Sequence, residues 1–149
     1  MVDERENHRQ IAVNCFNATW DLLDRTDRTP EDDLQMIHCA HASRYHWGVI
    51  GSSIEFQRGE WQISRVYSVL GMGESALYHA EICNQTCVEE GIGDFDMAFS
   101  LEAMARAHMV LGNTEDCGKY LELAKEAADQ IEEKDTRDYF LSEIESISC

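Results

Sequence analysis

Proline occurs once in this 149-residue chain, and no three basic residues stand in a row. Scarce proline leaves helices unbroken and favours long helices joined by brief turns. The missing basic run goes with 29 acidic against 12 basic residues and a net charge of -17. Such a surface repels phosphate backbones and anionic lipid, so neither nucleic acid nor a membrane is expected as a partner. No apolar run approaches the ~18 residues of a spanning helix. The charged start, MVDERENHRQ, lacks the apolar stretch of a signal peptide. None of the six cysteines (Cys15, Cys39, Cys83, Cys87, Cys117, Cys149) forms a CxxC pair. Reduced thiols in a cytoplasm are therefore expected, with Cys83 and Cys87 as small core residues. HExxH is absent, and no Glu stands three residues before a His, so the zinc-protease and di-iron helix motifs are missing too. No catalytic motif is recognisable; the expectation is a protein without catalysis and without a cofactor.

What remains is a globular composition, 44% apolar, of a length that suits one domain. Its periodicity predicts an all-α fold of about seven antiparallel helices and no strand. Thr29 reads as an N-cap with Pro30 in the first helical position. Asp94 reads as the cap of the fifth helix, and Asn113 or Thr114 as that of the sixth. Gly71, Gly91 and Gly112 read as helix ends. Glu102 and Arg106 read as part of a solvated face.

An internal repeat is visible at an offset of 41. SRVYSVLGMGESALYHAEIC, from Ser64, aligns with ARAHMVLGNTEDCGKYLELA, from Ala105. Ser64 meets Ala105, Leu70 meets Leu111, Gly71 meets Gly112, Ala76 meets Cys117 and Cys83 meets Ala124. Tyr67 falls opposite His108. The match is read on small and apolar positions, not on basic ones. Each unit is a helix, an LG turn and a second helix.

This pattern resembles the tetratricopeptide repeat, whose hairpins carry a small residue, an aromatic, a glycine and an alanine at the spacing of Ser64, Tyr67, Gly71 and Ala76. The offset exceeds the roughly 34 residues usual in that family. The blocks HASRYHW and RGEWQISRVY also resemble an uncharacterised bacterial group of this repeat-like kind, which implies no activity. The resemblance implies a single domain over 1–149. Residues 1–56 would be a divergent N-terminal hairpin, 59–131 two repeat-like hairpins, and 135–149 a C-terminal capping helix. It further implies a curved inner surface of the sort that holds a peptide or a partner's helix.

The densest titratable stretch is HCAHASRYHW, residues 38–47. From Leu34 to Ile54 there is no acid, and Arg44 is the one formal charge. In so acidic a chain, this gap suggests a central helix buried on more than one side. At about 100° per residue, Leu34, His38, His41, Tyr45, Gly48 and Ser52 share one stripe. Met36, Ala40, Ser43, Trp47, Ile50 and Ile54 share the opposite one, an ordinary core face. The polar stripe needs hydrogen-bond partners, supplied by other helices or by a ligand. In the next helix Trp61 and Arg65 are one turn apart, placed to stack off the core face.

Two functions follow. In the first, the chain is an interaction module for a protein or peptide, and His38, His41, Tyr45, Trp61 and Arg65 line its groove. In the second, His38 and His41 converge with His79 on a small ligand or metal, with enzymatic chemistry open to it. Self-association as a homodimer is a further use for the apolar surface.

Overall fold

Seven helices, and no strand, account for the described residues, 3–149 of a computed structural model. They are α1 (Glu4–Leu23), α2 (Pro30–Ile50), α3 (Ser53–Val69), α4 (Gly73–Glu90), α5 (Asp94–Leu111), α6 (Thr114–Ala128) and α7 (Lys134–Ile144). Local chemistry sets their starts. Thr29 Oγ1 accepts from Asp32 N, and Asp32 Oδ2 accepts from Thr29 N, a reciprocal cap with Pro30 in the first position. Glu55 Oε2 accepts from Ser52 N and Ser52 Oγ at the start of α3. Asp94 departs from its expected role. The N-cap of α5 is Gly93, and Asp94 follows it at φ 52°, a left-handed backbone that Asp tolerates better than most side chains. Its carboxylate accepts from Phe95 N and, across the fold, from Glu132 N.

Neighbouring helices pack as antiparallel pairs: α1 on α2, α3 on α4, α5 on α6, with α2 on α3 and α4 on α5 joining the pairs. The odd-numbered helices also touch one another, α1 on α3, α3 on α5 and α5 on α7, whereas no described even-numbered helix touches another. The stack thus has an inner face built by α1, α3, α5 and α7. Small side chains on α4, α5 and α6 let consecutive helices approach closely. Ala76, Ala80, Cys83, Ala98, Ala105, Cys117 and Ala124 are all wholly buried. At Gly59 an added Cβ would lie 2.9 Å from Arg44 Cδ and 3.3 Å from Arg44 Cβ, so α3 meets α2 there nearly backbone to backbone.

The offset of 41 is a structural repeat. Gly71 and Gly112 both sit at φ 76°, where glycine alone is unstrained. Met72 N donates to Tyr67 O, and Asn113 N donates to His108 O, the same six-residue closure 41 positions apart. Arg65 and Arg106 are also 41 apart, so the basic positions match after all. One exchange is complementary. Tyr67 stacks on His79 in the first unit, and His108 stacks on Tyr120 in the second. The phenol and the imidazole have changed places while the stack is kept.

Two expectations are corrected. α2 is not central: its backbone lies close only to α1 and α3, and of its residues Met36, Ala40 and Ser43 alone are buried. Leu34, Tyr45 and Val49 are 55%, 67% and 49% exposed. Neutral polar side chains cost nothing in water, so an acid-free run does not require burial. Nor are all thiols reduced. Cys117 on α6 is bonded to Cys149, their Cα atoms 5.7 Å apart, because the segment after α7 folds back along α5 and α6; Cys15, Cys39, Cys83 and Cys87 are free. Among the described residues, no helix is long and apolar enough to cross a membrane.

Candidate functional site

Aromatic residues recur at helical spacing on the inner face. Phe16 and Trp20 are one turn apart on α1, as are Phe95 and Phe99 on α5, and one turn apart on α3 stand Gln57 and Trp61. With Arg58, Asp96 and Tyr139 of α7 they wall a cavity of about 190 Å³. The Trp20 and Trp61 rings lie 5.6 Å apart, Phe99 meets Trp61 edge-on at 5.6 Å, and Tyr139 lies 6.1 Å from Phe99. Phe16 and Arg58 also wall a second pocket of about 180 Å³ that extends to Trp47 and Glu55. The two adjoin at Phe16 and Arg58 and together make up the trough between α1 and α3, whose first pocket is also walled by α5 and α7.

The charges of the first pocket's wall, Arg58 and Asp96, are paired. Arg58 donates to both oxygens of Asp96 at 2.9 Å and lies over the Phe95 ring. Beneath Trp61 lies Glu102, wholly buried. Its carboxylate accepts from Trp61 Nε1 at 3.0 Å, Arg65 Nη2 at 2.8 Å and Arg106 Nε at 2.6 Å. Burial alone would raise the Glu102 pKa, but the two guanidiniums and their hydrogen bonds outweigh it and hold the carboxyl below its ordinary value. Arg65 reaches on to Glu143 of α7, and Arg106 donates to Glu143 O and Ser146 Oγ. The expected solvated face is therefore the ionic tie between α3, α5 and α7, and leaving one member unpaired costs about 3–5 kcal/mol. Tyr139 has its phenol pushed up to about 12 by burial and then by the Glu143 carboxylate.

One wall is unfinished. Gln57 is 1% exposed; its Oε1 accepts from Cys83 and Cys87 Sγ at 3.5 Å, and its Nε2 has no partner. The hydrogen bond to Cys87 and burial keep the Cys83 thiol well above its ordinary pKa. A buried donor without an acceptor costs roughly 1–3 kcal/mol.

The histidines form a separate cluster between α2, α3 and α4. His79 Nδ1 lies 2.6 Å from Glu60 Oε2, and Arg44 Nε donates to Glu60 Oε1 at 3.1 Å. His41 Nε2 and the Tyr67 hydroxyl are 2.9 Å apart, and the His41 and His79 rings are 5.4 Å apart. Burial, then the charge of His79, holds His41 below its ordinary pKa, against the pull of Glu60. His46 pairs instead with His8, their Nδ1 atoms 2.7 Å apart.

The five residues read as one groove divide among three places. Trp61 and Arg65 are on the inner face, Arg65 over the Trp61 ring at 5.2 Å. His41 is in the α2–α3–α4 cluster. His38 and Tyr45 are exposed on α2, which contributes only Trp47, at its far end, to the trough. For the metal alternative His41 and His79 do approach, but His38 stays outside, and no three His, Cys, Asp or Glu side chains among the described residues are grouped to hold an ion. The sequence reading did not mark Phe16, Trp20 and Gln57 as wall residues, and it expected Glu102 on a solvated face. The aromatic pairs four apart were its available signal; the burial of Gln57 and Glu102 had none. Compared with protein-family models, with curated proteins and with solved structures, the chain finds no match in any of the three.

Proposed function

We propose that the chain is a non-catalytic interaction module of tetratricopeptide-like build, whose inner trough holds a peptide segment of a partner protein. The observation that carries this reading is the trough itself: aromatic walls contributed by α1, α3, α5 and α7, with fixed ion pairs behind them. Rigid aromatic side chains beside paired charges are the usual material of a binding surface. A net charge of -17 favours a cationic segment and hastens its approach. On compartment, the four free cysteines support a cytoplasmic setting and the Cys117–Cys149 bond opposes it. Alkylation of protein taken directly from cells, followed by mass spectrometry, decides: six alkylated thiols support the cytoplasm.

The test is selection of binders from a peptide-display library, with their affinities then measured on variants. Trp20→Ala and Phe95→Ala, in walls without a side-chain hydrogen bond, are expected to lower affinity at least roughly tenfold. His38→Ala and Tyr45→Ala, on the other surface, are expected to leave it unchanged. Binders indifferent to Trp20 and Phe95 would remove the reading.

A further inference from the structure

We infer that the inner cavity is a receptor for a phenol ring, the side chain of a tyrosine in the segment the trough holds. This rests on the interaction reading above and adds the chemistry of the anchor.

Size comes first. A cavity of about 190 Å³ is somewhat larger than the ~150 Å³ apolar cavity that takes up benzene, so it suits one six-membered ring with a substituent. Shape comes second. Trp20, Trp61, Phe99 and Tyr139 line it at mutual tilts of 34°, 78° and 43°, so an entering ring meets walls of differing orientation and can take the offset or edge-on contacts aromatic pairs favour.

The polar groups narrow the choice further. Gln57 contributes a buried Nε2 without an acceptor. Its last torsion has broad wells, so a modest rotation turns that N–H toward an arriving group. Asp96, also in the wall and 8% exposed, takes one bond from Arg58 on each oxygen, which leaves each a further lone pair. Both residues line the same cavity, and Cys87 Sγ sits against the two of them, 3.5 Å from Gln57 Oε1 and 3.8 Å from the Asp96 backbone carbonyl. An idle donor and a carboxylate in the lining of one cavity are both served by a group that accepts and donates at once. An ammonium has nothing to offer Nε2–H, a carboxylate meets Asp96 with like charge, and a phenylalanine ring leaves both groups unserved. A phenol oxygen accepts from Gln57 and gives its proton to an Asp96 oxygen. The aromatic walls prefer it to an aliphatic alcohol.

The first test uses p-cresol and toluene, which differ by the hydroxyl, titrated against the whole protein with the tryptophan fluorescence of Trp20 and Trp61 as reporter. p-Cresol is expected to bind at least about tenfold more tightly, the kind of discrimination that follows when a buried polar group is left unserved by the analogue. Gln57→Leu is expected to bring p-cresol to the level of toluene and leave toluene unchanged. Should that variant not fold, the ratio on the native protein decides alone. Equal binding of the two probes, or no binding of p-cresol, overturns the inference. The second test pairs a lysine-flanked peptide with a single tyrosine against its phenylalanine twin. Preference for tyrosine, lost in Trp20→Ala, is expected. Binding that depends on Trp20 without preferring tyrosine overturns the inference and leaves the interaction reading standing. Binding indifferent to Trp20 removes both. p-Cresol selectivity without tyrosine-peptide binding overturns the assignment to a peptide.

Discussion

α5 encloses its charges, and α2 displays its apolar side chains. Glu102 and Arg106 on α5 are 0% and 9% exposed, while Leu34 and Tyr45 on α2 are more than half exposed. The difference lies in how many neighbours each helix has. α5 touches α3, α4, α6 and α7; α2 touches α1 and α3. A carboxylate inside a helix stack is tolerable when guanidiniums arrive from two helices, as Arg65 and Arg106 do. A leucine on an outward face loses little in water. Hydropathy alone would have placed both groups wrongly; the count of packed neighbours and the supply of counter-charges place them correctly.

Breaking the enclosed side of this comparison has the largest effect. Glu102→Ala strands two buried guanidiniums and is expected to cost about 3–5 kcal/mol, read as a lower urea midpoint. The same carboxyl contributes to acid unfolding. Its folded pKa lies below the unfolded value near 4.5, so its stabilisation is complete above that pH and is lost as pH falls through the lower folded value. Glu102→Gln is expected to flatten that limb of a stability-against-pH curve. Next comes the close approach of α3 to α2 at Gly59. Gly59→Ala forces a Cβ against Arg44 and is expected to cost about 1–3 kcal/mol, measured the same way.

A subtler comparison is between the two repeat units. His108→Tyr or Tyr120→His alone breaks the second stack, and the double exchange recreates the order found at Tyr67 and His79. A double-mutant cycle is expected to show a favourable coupling of about 0.5–1.5 kcal/mol. An additive result would mean that the stacks are bystanders. On α2, His41 sharpens the contrast by titrating elsewhere. Its folded pKa is below the unfolded value of 6.5, so stability is complete above that pH and declines as pH falls through the folded value. His41→Phe is expected to remove that slope while the acid limb of Glu102 stays. The smallest effect belongs to the displayed side. Leu34→Lys and Val49→Lys are each expected to change stability by no more than about 0.5 kcal/mol. A fall in mass by light scattering on making both would instead mark the stripe as a self-association face.

Local features were legible in the sequence: the Thr29–Pro30 start, the glycines that end α3 and α5, the buried thiols and the offset of 41. Each is written within a few residues or repeats at fixed distance. The trough was only half legible. Trp61 and Arg65 stood out because they are adjacent on one helix, but the partners that give them a use, Phe16, Trp20 and Phe99, come from other helices. Glu102 and Arg106, four apart, have the spacing of a surface ion pair, and only α3 and α7 covering them makes them interior. Cys117 and Cys149 are 32 positions apart and meet only after α7 has turned back.

That turn-back has a mechanical side. Cys149 is joined through its sulfur to α6, and Ser148 N donates to Met109 Sδ at 3.3 Å on α5. A pull applied at Cys149 therefore enters the molecule at Cys117 and bypasses residues 118–148. While the bond is intact, α7 and the loop before it carry no tension, and the first load falls on α6 against α5. Reduction moves the load onto α7, so the same pull would peel away the Glu143 clamp first and open the cavity at Tyr139.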